Sequence, residues 1–67
     1  MTIYDSIRVA FAYNCPDAEL LLHQTVREIL TDTWTNSTKL EKISLCYVAA
    51  DAGLAQRRKM INIEGLL

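Results

Sequence analysis

Between Pro16 and Trp34 the apolar residues fall at Ala18, Leu21, Leu22, Val26, Ile29 and Leu30. Steps of three and four residues place them on one stripe of an α-helix, while Glu19, His23, Gln24, Arg27, Glu28 and Asp32 take the other faces. A helix over 16–34 carrying such a stripe must be covered, either by the flanking segments or by another molecule. Chain length sharpens the requirement. With 67 residues the chain is one small helical domain, 1–67, near the lower limit at which a single core sustains itself.

The flanks supply two more helices. Thr2, with Asp5 three residues on, is a weak capping box opening a helix over about 3–13, with Ile3, Tyr4, Ile7, Ala10 and Phe11 on one face. The same segment alternates as a strand would, with Ile7, Val9, Phe11 and Tyr13 set against Arg8, Ala10 and Ala12. Three alanines, an arginine and a well-placed cap favour the helix. Asn14-Cys15-Pro16-Asp17 then breaks the chain and starts the central helix, because proline suits the first helical position and Asp17 and Glu19 complement the helix dipole. The run from Thr31 to Thr38 ends it, since short polar side chains compete for backbone hydrogen bonds.

Thr38 and Glu41 read as a capping box for a third helix over about 39–59, with Leu40, Ile43, Tyr47, Ala50 and Leu54 on one face. Leu45, Cys46, Val48, Ala49 and Ala52 make the opposite side apolar too, so this helix needs cover on two sides. Gly53 marks close packing, a bend or a break. Arg57, Arg58 and Lys59 suit a helix C-terminus, and Met60–Leu67 is an apolar tail that docks or frays. The expected fold is all-α, a small antiparallel three-helix bundle made of a helical hairpin plus an N-terminal helix. The alternative is a small α+β fold with strands at Ile43–Val48 and Met60–Ile63, against which the alanines after Val48 count.

No residue pattern carries a reaction. Cys15 precedes a helix start, where a thiolate is favoured, but His23 lies eight residues further on, about 12 Å away along a helix. His23 has no histidine at i+4 and the cysteines lack ligand spacing, so neither a metal nor a cofactor is expected, and no catalytic residue is assigned. Gly53 and Gly65 form no phosphate loop. Seven basic and eight acidic residues give a net charge of −1 and no field for nucleic acid or an anionic membrane. Cys15 and Cys46 read as reduced thiols, and Asn36-Ser37-Thr38 as a glycosylation acceptor only within a secretory compartment. With Asp5 and Arg8 in its first turns the N-terminus does not read as a signal peptide, and no stretch suits a membrane span, so a cytoplasmic protein is expected.

Tyr47-Val48-Ala49-Ala50-Asp51-Ala52-Gly53-Leu54-Ala55 resembles the Tyr-x-Ala-Ala-Asp-x-x-Leu-Ala stretch of the Hha/YmoA family, small helical bacterial proteins that modulate nucleoid-associated silencers. The resemblance covers nine residues and implies an acidic partner-binding role for Asp51.

The expected function follows from apolar surplus. Apolar residues make up 51% of the chain, more than one short bundle readily buries, and exposed apolar patches mark interaction sites. The reading is a non-enzymatic protein that binds a protein partner or its own copy through Leu45, Val48, Ala49 and Ala52, with Trp34 at the rim. Small chaperone, inhibitor or regulatory subunit are the corresponding roles. A second class is a small bacterial transcription or nucleoid modulator acting on DNA, or on a DNA-binding partner, through Arg57, Arg58 and Lys59.

Overall fold

Thr2 and Asp5 satisfy each other at the first helix start. In the computed structural model, which describes residues 1–66 and their side chains through Asn62, Thr2 Oγ1 accepts from the Asp5 backbone N–H at 3.2 Å. The Asp5 carboxylate accepts from the Thr2 N–H at 3.1 Å. Helix α1 spans Ile3–Ala12. Its end is closed by Cys15 N–H donating to the Ala10 carbonyl at 2.9 Å and Asn14 N–H to the Phe11 carbonyl at 3.3 Å, with Asn14 at φ 52°. A left-handed residue just past the helix end satisfies the last carbonyls while reversing the chain, and asparagine tolerates that region better than most L residues.

Pro16 and Asp17 lie in a turn closed by Ala18 N–H donating to the Cys15 carbonyl at 3.1 Å. Helix α2 spans Ala18–Thr31, shorter at both ends than the expected 16–34. At its far end Thr31 Oγ1 donates back to the Arg27 carbonyl at 3.0 Å, and Asp32 Oδ1 accepts from the Thr33 N–H at 2.7 Å. These local bonds replace the next helical turn. Lys39 Nζ donates to the Leu30 carbonyl at 2.9 Å, placing a cation at the negative end of α2.

Helix α3 spans Asn36–Leu66. It begins before the expected Thr38 cap because Thr35 does the capping, its hydroxyl accepting from the Thr38 N–H at 3.4 Å. α3 continues through Gly53 and takes in Met60–Leu66, so both segments proposed as strands are helical and the all-α fold stands. The backbone of the apolar tail is helical to Leu66; Leu67, and any docking of the side chains after Asn62, lie outside the described residues.

At about 1.5 Å per residue α3 is the long axis of a body 50 × 20 × 18 Å. All three helices touch, with α1 lying most extensively on α3. α1 runs parallel to α3: Tyr4 lies beside Cys46, and Arg8 donates to the Gln56 side-chain oxygen at 3.0 Å. α2 runs the other way, from Ala18 near Leu54 to Leu30 beside Lys39.

The core is Ile7, Leu22, Ile29, Cys46, Ala49 and Ala50, with Tyr4, Phe11, Leu21, Val26 and Ile43 packed around it. α3 therefore buries Cys46, Ala49, Ala50 and Gly53, its small residues at i, i+3, i+4 and i+7. The face expected to be buried is rotated: Leu40 and Tyr47 are exposed, and at Gly53 α1 comes too close to α3 for a side chain to fit between them. A Cβ built on Gly53 would collide with the Arg8 carbonyl oxygen, so Gly53 marks close packing, not a break.

Candidate interaction surface

Burying small residues on one side of α3 leaves large ones on the other. Leu45 is 49% exposed, Val48 63%, Leu40 66% and Tyr47 50%. Ala52 is exposed beside them. Ala49, expected on this surface, is instead in the core, because its small side chain belongs to the face that receives α1 and α2.

Trp34 stands in the loop between α2 and α3, partly exposed, with Lys42 Nζ 4.0 Å from its ring centroid. An ammonium over an indole face is attracted by the ring quadrupole, and here it holds the ring at the mouth of a cleft. That cleft, about 310 Å³, lies between Ile3, Tyr4, Ile29, Asp32, Trp34 and Lys42. A second, about 510 Å³, lies between Tyr4, Thr38, Glu41, Lys42, Leu45 and Val48. Tyr4 and Lys42 line both, so the surface is continuous from Trp34 to Val48. Sequence reasoning placed Tyr4 in the α1 core face and did not connect it to Leu45; that juxtaposition depends on the parallel packing of α1 on α3.

The groups with chemical potential are dispersed. Cys46 is fully buried and burial pushes its thiol pKa up, which suppresses the reactive thiolate. Tyr4 is also raised, first by burial and then by the nearby Cys46 charge. Cys15 is exposed in the α1–α2 turn, and both cysteines are free. His23 is exposed on α2. Among the described residues no group of three or more His, Cys, Asp or Glu converges as a metal site, and no helix is long and apolar enough to cross a membrane.

Arg58 and Lys59 are exposed and Arg57 is half-buried. They do not end their helix as expected, because nothing between Met60 and Glu64 breaks it and α3 continues to Leu66. Asp51 is exposed on the same helix. Sequence patterning also missed Thr25, buried in α2 with its hydroxyl donating to the Leu21 carbonyl at 2.8 Å. Compared with family models, curated proteins and solved structures, the chain matches none.

Proposed function

We propose that this chain is a non-enzymatic protein-binding protein whose contact surface is the outer face of α3 around Leu45 and Val48, rimmed by Tyr4 and Trp34. One observation carries the reading: α3 buries Cys46, Ala49, Ala50 and Gly53 while Leu40, Leu45, Tyr47 and Val48 stand exposed. A helix serving only its own core would orient the other way, since burying a leucine or valine side chain contributes about 1.5–3 kcal/mol and burying an alanine much less. The grooves beside Tyr4 and Lys42 give this face relief into which a partner's side chains fit. Such a protein acts by occupying a surface, as a chaperone, inhibitor or regulatory subunit does. A photocrosslinking residue placed at Val48 in the producing cells should form an adduct with a protein chain, and one placed at His23 on α2 should not. Absence of any Val48 adduct refutes the proposal.

A further inference from the structure

The exposed face of α3 carries a stripe with an internal symmetry. Glu41, Leu45, Val48, Ala52, Ala55 and Lys59 are all exposed, and they succeed one another by four, three, four, three and four residues. Alternating steps of four and three residues keep these side chains on one stripe of the helix, the spacing with which one helix lies along another. The spacing reads the same in both directions about the level of Ala50. The chemistry does not: acid and large apolar residues occupy one half, small residues and a base the other.

From this we propose that the occupant of the surface is a second copy of this chain, docked with its α3 antiparallel on a two-fold axis at the level of Ala50. The inference rests on the protein-binding reading and specifies the partner. Antiparallel pairing sets Glu41 of each copy beside Lys59 of the other, at both ends of a seam about 27 Å long. It also sets Leu45 against Ala55 and Val48 against Ala52, large against small, so the helices close without voids. Parallel pairing would stack Glu41 on Glu41, Lys59 on Lys59 and alanine on alanine, repelling at the ends and leaving a gap. α1 and α2 cover the Cys46, Ala49 and Ala50 side, and Tyr4 of α1 borders the seam beside Leu45 and Val48. The contact is isologous, so it closes on itself as a dimer.

Asp51, exposed beside the seam next to the axis, meets its counterpart there. This like-charge pair opposes association, and Asp51→Asn tightens the dimer.

Sedimentation equilibrium of the full chain at low salt, over a hundredfold concentration range, tests the pairing. Wild type should pass from monomer to dimer as concentration rises. Glu41→Lys and Lys59→Glu alone should each weaken association about tenfold, since two attractions become two repulsions. An equimolar mixture of the two variants should restore a heterodimer, because one chain then presents a base at both ends of the seam and the other an acid at both. Recovery on mixing also shows that neither variant is misfolded. A wild type monomeric throughout, or a mixture no tighter than its components, overturns the second-copy proposal. A monomer whose Val48 crosslinks to a different protein overturns it while leaving the protein-binding reading in place; a monomer with no adduct overturns both.

Discussion

Gly53→Ala adds one methyl group where α1 crosses α3. That methyl would collide with the Arg8 carbonyl oxygen and lie 2.9 Å from Phe11 Cβ and 3.1 Å from Ala12 N. Two of the three obstructing atoms belong to the α1 backbone, which cannot rotate aside as a side-chain end would. Two terms oppose each other. Replacing glycine in a helix interior gains about 1 kcal/mol of propensity, whereas overpacking a tight contact costs about 1–3 kcal/mol, and an unyielding wall places this site at the upper end. The net expectation is a loss of about 2 kcal/mol, or a melting temperature lower by roughly 8–16 °C for a domain of this size. Circular dichroism melts and urea titrations measure it. Ser44→Ala serves as control, because that exposed position on the same helix gains propensity with no wall in the way and should be stabilised by a few tenths of a kcal/mol. If Gly53→Ala is as stable as wild type or more so, α1 does not approach α3 at this point and the packing argument fails.

Asn14, at φ 52°, should accept glycine with no loss of stability, while Asn14→Val should cost about 1–2 kcal/mol through left-handed strain; urea midpoints at constant m-value decide between them. The Asp5 carboxyl is held below the usual carboxylate range by its backbone hydrogen bond from Thr2, then by the Thr2 hydroxyl. Because the folded pKa is the lower one, its stabilisation is present above the unfolded value of about 3.9 and is lost as pH falls through the folded value. Asp5→Asn should therefore flatten the acid limb of a stability-against-pH curve, and an unchanged limb would remove the capping box from the account. Cys15 should react with a disulfide reagent at once and Cys46 only as the molecule opens, with a rate that climbs in urea; two equally fast thiols would contradict the core assignment.

Local chemistry made much of the fold legible in the sequence. Thr2 with Asp5 acts within one turn and reads correctly without tertiary knowledge; the Cys15-Pro16-Asp17 break is also placed correctly, although α2 starts at Ala18 and not at Pro16. Most of the α2 stripe was legible too: Ala18, Leu22 and Ile29 are buried and Leu21 and Val26 pack against the core, while Leu30 at the end of the helix is exposed. Helix ends were less so. The threonine-rich run from Thr31 to Thr38 offers several hydroxyls able to cap, and the choice of Thr35 accompanies a docked helix pair whose Lys39 reaches the Leu30 carbonyl.

What only the tertiary structure decided is the orientation of α3. Hydrophobicity ranks Leu40 and Tyr47 with the core residues and gives alanine, cysteine and glycine little weight. Packing three short helices ranks them differently. Close approach of α1 to α3 requires small side chains at the crossing, which gathers Ile7, Phe11, Cys46, Ala49, Ala50 and Gly53 into contact and turns the large residues outward. The candidate surface is therefore a consequence of which face was needed inside. Periodicity showed that α3 was apolar on two sides; the steric demand of the helix crossing decided which residues lie inside.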